Sequence, residues 1–219
     1  MERSRIGIVI PALNEAATIA AVVSRVADYG TAIVVDDGST DATAQIAQTA
    51  GAHVVSHALN QGYDAALNSG FAKAMALGCS HVITIDADGQ HNPDQLATMI
   101  NYLDQGYALV LGVRDRLQRV GEVVFARCAQ KLWGMSDPLC GMKAYALALY
   151  QQAGGFDTCQ SIGSELAVRS VAHGCHYVEM PIITRDRMDA PRFGRTLKAN
   201  YKILRAMAIM VYRYGTKHP

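Results

Sequence analysis

With 219 residues, half of them hydrophobic, 18% charged and only 6 proline, the chain has the composition of a folded globular protein with an ample core, which excludes disordered, collagen-like and acidic-tail readings. Its five cysteines are odd in number and contain no CxxC, so neither a disulfide framework nor a thiolate zinc site is expected, and a reducing, cytoplasmic setting fits. The net charge of +1 conceals a basic segment, +7 over residues 185–219, on a body of −6; a phosphate-bearing ligand or an anionic membrane surface suits this better than nucleic acid, for which no finger or helix-turn-helix spacing is present.

Residues 6–10 (IGIVI) are a buried-strand pattern, ended by Pro11, and residues 15–28 carry helical periodicity through Ile19, Val22, Val23 and Val26. A second apolar run, Ala32 to Val35, stops at Asp36-Asp37-Gly38-Ser39, after which Thr40 or Asp41 can cap a helix over 42–50. A strand over 53–57, a loop and helix over 60–78 and a strand over 81–85 follow. The rhythm then loosens: helix 93–104, strand 107–111, an irregular 113–136, the segment 137–145, helices 146–153 and 164–173, and a strand over 176–180. This alternation predicts an α/β fold with a central, mainly parallel sheet flanked by helices. The apolar stretch near the N-terminus is too short for a signal peptide, and the longest apolar run, 206–212, falls far short of the roughly 20 residues that span a bilayer.

In open parallel sheets ligands sit beyond the carboxyl ends of the strands, where Asn14-Glu15, Asp36-Asp37 and Asp86-Asp88 all fall. Asp86-Ala87-Asp88-Gly89-Gln90 is the sharpest of these. If the backbone stays extended, both carboxylates leave one face roughly 6–7 Å apart, close enough to share a hard cation such as Mg²⁺ or Mn²⁺ on a diphosphate. DADGQ begins like a calcium-binding loop, but the twelfth position is Ala97 rather than glutamate and an apolar strand precedes it.

The motifs IPALNE (10–15), VVDDGSTDAT (34–43), Asn60-Gln61-Gly62 with Gly70, DADGQ with Pro93-Asp94, Gly112-Val113-Arg114 and DPLCGMKAY (137–145) occur in an order that resembles the family 2 glycosyltransferases, in particular their dolichyl-phosphate mannosyltransferase-like group. The resemblance implies a GT-A fold, Rossmann-like, in a single domain over 1–219: a nucleotide-sugar-binding half over 1–112, an acceptor half over 113–184, and a basic arm with an amphipathic helix over 185–219. It places Pro11, Leu13, Asn14, Glu15, Val35, Asp37, Asp86 and Ala87 on the nucleotide-sugar. Asp86, Asp88 and Gln90 would hold Mg²⁺ or Mn²⁺, with Asp88 counted as catalytic. The implied reaction is metal-dependent, inverting transfer from a GDP- or UDP-sugar to a polyprenyl phosphate. A soluble sugar, glycan or peptide acceptor, or a nucleotide-sugar-binding module without turnover, are the alternatives.

Arg114, Arg192, Arg195 and Lys198 resemble the family's acceptor-phosphate cations, although the usual Gly-x-Ser-Lys is here Gly194-Arg195-Thr196-Leu197-Lys198. Glu165 lies near the family's general-base position; a helix N-terminal carboxylate is the alternative, and an ionised phosphate acceptor needs no base. Asp64 departs from the family's usual glycine. The helix from Leu197 to Tyr214 lines up Leu197, Tyr201, Leu204, Ala208 and Val211, with Lys198, Lys202, Arg205 and Arg213 elsewhere, which suggests a peripheral position on the cytoplasmic face of a membrane.

Overall fold

The computed structural model describes residues 2–89, 94–183 and 196–215. Their strands form one seven-stranded sheet in the order β3-β2-β1-β4-β6-β5-β7. The strands are β1 (Ile6–Ala12), β2 (Thr31–Asp36), β3 (His53–Ser56), β4 (His81–Thr84), β5 (Leu109–Arg114), β6 (Lys143–Ala146) and β7 (Tyr177–Ile182). Only β6 is antiparallel to its neighbours, so the carboxyl ends of β1, β2, β4 and β5 share one edge with the start of β6.

The helices are α1 (Ile19–Val26), α2 (Thr43–Thr49), α3 (Tyr63–Ala76), α4 (Gln95–Asp104), α5 (Val120–Trp133), α6 (Leu147–Ala153), α7 (Glu165–Ala172) and α8 (Thr196–Tyr214). Alternation along β1 divides the core, because successive side chains of a strand leave opposite faces. Ile6, Ile8 and Ile10 join the apolar faces of α1 and α4, whereas Val9 joins Leu67 and Phe71 of α3 and the residues of α5, α7 and α8. At Gly70 helix α3 comes so close to β1 that a Cβ would lie 3.1 Å from Val9 Cγ2, which explains glycine inside that helix.

Three expectations change. Pro11 does not end β1, which pairs onward through Pro11↔Val35 and Ala12↔Asp36. Val9 accepts from Ile85 N on the β4 side; Pro11 faces that same side beyond the last pair, Val9↔Thr84, so its missing N–H removes no ladder bond. Helix α1 begins at Ile19 rather than residue 15, because Glu15 N donates to Thr43 Oγ1 and the chain makes a turn before the helix. The stretch 113–136 is mostly helix. Its inward face consists of Gly121, Glu122, Phe125, Ala129 and Trp133, while the apolar Val120 and Val124 face outward, so hydrophobic periodicity gave a blurred signal. Trp133 and Met135 belong to the core, with Trp133 Nε1 donating to Tyr214 O.

Candidate active site

A cavity of about 400 Å³ opens at the sheet edge where β1, β2, β4 and β5 end. Pro11, Leu13 and Glu15 follow or end β1, Asp37 follows β2, Asp86, Ala87 and Asp88 follow β4, and Arg114 ends β5; all eight line it. Val35 is fully buried within β2 and does not line the cavity.

The two neighbouring aspartates have different tasks. Asp36 is buried and its Oδ1 accepts Ser39 N at 3.3 Å, which closes the turn. Asp37 turns into the cavity, where Oδ1 accepts Gln61 N at 2.9 Å and Oδ2 accepts Gly62 N at 2.8 Å. His57 Nδ1 lies 2.6 Å from Asp37 Oδ1, and its Nε2 lies 2.9 Å from Ser69 Oγ. His57 is thus the inner support of Asp37. Asn14, with φ 53°, does not line the cavity but joins two of its loops: its N–H donates to Ser39 Oγ and its Oδ1 accepts Thr40 N, each at 2.8 Å.

After Thr84 the backbone does not stay extended. It turns at Ala87-Asp88, with Gly89 at φ 73°, once the ladders to β1 and β6 have ended. Asp86 and Asp88 nevertheless both line the cavity. Tyr63 Oη donates to Asp86 Oδ1 at 3.2 Å, and burial together with the Asp86 charge pushes the Tyr63 pKa well above the ordinary range, so the phenol remains a donor. The Asp86 carboxylate lies against the Cα of Gly141, where a Cβ would stand 2.8 Å from Oδ1. Two carboxylates at one rim, with a glycine clearing the space that one of them needs, fit a hard divalent cation. Gln90, the third expected ligand, lies outside the described residues.

Arg114 is fixed from beneath. Its Nε donates to Asp137 Oδ2 at 2.7 Å and an Nη donates to Asp137 Oδ1 at 2.9 Å, and its backbone N–H also reaches Oδ2. Burial alone would lower its pKa, but the Asp137 bonds and charge raise it instead, so the guanidinium is permanently cationic. The partner is Asp137, not the adjacent Asp115 that sequence proximity suggests. Arg116, Gln118 and Arg119 also line the cavity, and Glu122 accepts from Arg119 at 2.9 Å and from Gln118 N at 2.8 Å. The signal for these was present in RDRLQR, but a stretch read as irregular gave them no common direction.

Glu165, the expected base, does not line the cavity. Its carboxylate accepts from Thr158 N at 2.5 Å, from Arg213 and from Tyr214 Oη at 2.8 Å each, and from Thr158 Oγ1, which anchors α8 and the loop before α7. Burial would raise its pKa, but the bonds from Thr158 and Tyr214 outweigh it and the net shift is downward, the wrong direction for a group that collects a proton near neutrality. Asp64 also points away from the cavity: it accepts Ile162 N at 3.2 Å and Gly163 N at 2.5 Å, tying down a loop in which Gln160 and Ile162 have positive φ. Burial, reinforced by the Asp157 charge, pushes the Asp64 pKa up to about 6. Lys198 is exposed on α8 and does not line the cavity, while Arg192 and Arg195 lie outside the described residues.

The fold is of the GT-A glycosyltransferase type. The glycosyl transferase family 2 model matches residues 7–127, and the chain belongs to that family. It is 30% identical over 195 residues to the dolichyl-phosphate hexose transferase of Haloferax volcanii, covering 83% of each chain. It is 26% identical to the undecaprenyl-phosphate 4-deoxy-4-formamido-L-arabinose transferase of Klebsiella pneumoniae, over 94% of this chain and 65% of that one. Among solved structures, glucosyl-3-phosphoglycerate synthase from Mycobacterium tuberculosis, in complex with Mn²⁺ and UDP-glucose, superposes with a TM-score of 0.78 at 24% identity, covering 99% of this chain and 80% of that one. Among the described residues no helix is long and apolar enough to cross a membrane.

Proposed function

We propose that the protein catalyses inverting transfer of a sugar from a nucleoside diphosphate sugar to a lipid phosphate. The observation that carries this reading is that one cavity is lined by Asp86 and Asp88 and also by Arg114, Arg116 and Arg119, giving a cation-binding rim and an anion-binding wall around a common space. Pro11, Leu13, Glu15 and Asp37 would receive the nucleoside. Asp86 and Asp88 would hold Mg²⁺ or Mn²⁺, a Lewis acid that takes up charge developing on the departing diphosphate. Guanidinium groups match phosphate oxygens in geometry and keep their charge, so the arginines would orient the acceptor phosphate. An acceptor phosphate oxygen forms the bond to the anomeric carbon as the bond to the diphosphate oxygen breaks. The attacking oxygen is already ionised, so no protein base is required, in keeping with the position of Glu165.

The acceptors named for the Haloferax and Klebsiella relatives support the lipid, while the Mycobacterium enzyme supports a second reading with a small soluble phosphorylated acid. Both share the phosphate. The test measures transfer to a polyprenyl phosphate, transfer to 3-phosphoglycerate and slow hydrolysis of the sugar donor, for wild type and for Arg116→Ala and Arg119→Ala. Transfer to the polyprenyl phosphate, lowered about tenfold or more in the variants with donor hydrolysis retained, is expected. Loss of hydrolysis in parallel would move the arginines to the donor, and transfer to 3-phosphoglycerate alone would replace the lipid.

A further inference from the structure

Helix α8 has two apolar faces, and only one is used by the fold. Ala199, Ile203, Ala206 and Met210 are at most 2% exposed, whereas Leu197 is 85%, Tyr201 69%, Leu204 39% and Tyr212 90% exposed. Helix α5 repeats the pattern, with Phe125 and Ala129 buried and Val120 73% and Val124 40% exposed.

The two outer stripes lie side by side. Near the N-terminal ends Gly121 N donates to Asn200 Oδ1 at 2.9 Å, and near the C-terminal ends Trp133 Nε1 donates to Tyr214 O at 2.9 Å, so α5 and α8 run parallel. At roughly 100° per residue, Val120 and Val124 lie anticlockwise of the Gly121–Phe125 contact line, viewed from the N-terminus. Leu197, Tyr201 and Leu204 lie clockwise of the Asn200–Ile203 line, and on facing parallel helices those two directions are the same side. The charges that these two helices place beside the patch are of one sign: Arg127 and Lys131 are exposed on α5 and Lys198 on α8, while Arg205 turns to Cys159 O at 3.0 Å and the one carboxylate of the two helices, Glu122, is buried on the cavity side. An apolar patch flanked by the cations of its own two helices is complementary to a hydrocarbon layer under anionic headgroups. The residues leading into α5, Gln118 and Arg119, and Ile203 of α8 contribute to the cavity wall, so a surface seated on the patch would lie near the cavity.

We infer that the outer faces of α5 and α8 form one docking surface for an anionic lipid bilayer, an inference that takes its purpose from the lipid-phosphate reading but is testable without it. The experiment is sedimentation of the full chain with vesicles of phosphatidylcholine alone and of phosphatidylcholine with 30% phosphatidylglycerol, in the absence of donor and acceptor. Wild type is expected to bind the anionic vesicles and to bind more weakly in high salt. Leu197→Asp/Tyr201→Asp and, separately, Val124→Asp should lower binding about tenfold or more, with donor hydrolysis unchanged as the check on folding. Arg127→Gln/Lys131→Gln should reduce the preference for anionic over neutral vesicles. Absence of wild-type binding, or binding indifferent to these substitutions, overturns the inference. So does a dimer, by light scattering, that the aspartate variants dissociate, because a second copy then covers the face. If vesicle binding fails while a short water-soluble prenyl phosphate is still glycosylated, the docking surface is wrong and the acceptor reading stands. If vesicles bind as expected and no prenyl phosphate is glycosylated, the surface stands and the acceptor reading falls.

Discussion

The carboxylate of Asp86 rests on the Cα of Gly141, two residues just beyond the strands, brought together by the antiparallel pairing of β4 and β6. The pairing Thr84↔Lys143 sets this approach, and Thr84 Oγ1 secures it by donating to Gly141 O. Alanine at position 141 would stand 2.8 Å from Asp86 Oδ1 and displace it. Misplacement of a reacting group by about 1 Å costs on the order of a hundredfold in rate. Gly141→Ala is therefore expected to lower transfer by one to two orders of magnitude (roughly 10–100-fold) and weaken Mn²⁺ affinity by calorimetry, with little change in Tm. Asp88→Ala should lose more, and normal transfer by either variant would remove these carboxylates from the metal site.

Asp37 faces the cavity while bonded to Gln61 N, Gly62 N and His57, so its carboxylate holds the loop and borders the space proposed for the nucleoside. Asp37→Asn is expected to weaken nucleoside diphosphate binding about tenfold or more, while binding of pyrophosphate with metal changes little. Equal losses for both ligands would leave Asp37 with the loop alone. His57→Ala should reproduce the selective loss to a smaller degree, since His57 supports Asp37 from behind.

Asp64 predicts an unusual pH dependence. Its folded pKa of about 6 lies above that of an unfolded aspartate, so the folded chain takes up the extra proton. Its contribution is therefore fully present below the unfolded value and is lost as pH rises through about 6. Urea unfolding at pH 4.5 and 7.5 should show wild type gaining on Asp64→Asn by roughly 1–3 kcal/mol at the lower pH. A difference independent of pH would mean that the loop at Ile162-Gly163 does not sense this charge.

Glu165 predicts the opposite sign. Its pKa is depressed in the fold, so its contribution is present above the unfolded carboxylate value and lost as pH falls through the folded one. Glu165→Gln leaves donors from Thr158, Arg213 and Tyr214 short of an acceptor and should cost about 2 kcal/mol or more in stability at neutral pH. Transfer at a temperature where the variant stays folded should remain within a few-fold of wild type, with an unshifted pH–rate profile. A large fall in kcat on a fully folded variant would restore a catalytic role.

Much of the site was legible in the chain because strands of a parallel sheet end on one edge. Once IGIVI, AIVV and HVITI are read as strands, the polar groups that follow them, Asp37 and Asp86–Asp88 among them, must meet. Direction within those groups was not legible. Asn14 and Asp64 stand in motifs that mark a ligand site, and both are spent on loops, because a one-residue change in backbone path turns a side chain from the cavity to its wall.

The sequence by itself determined the α/β alternation, the family, the acidic rim and the basic excess after residue 184, since all of these depend on composition, local periodicity and motif order. Tertiary structure alone decided that Glu165 is an anchor, that Asp137 rather than Asp115 holds Arg114, and that Arg116 and Arg119 join the cavity. It also decided which apolar stripe of α8 packs and which stays outside. Each of these rests on a contact between residues far apart in the chain, and periodicity states that a helix has an apolar face without stating what covers it.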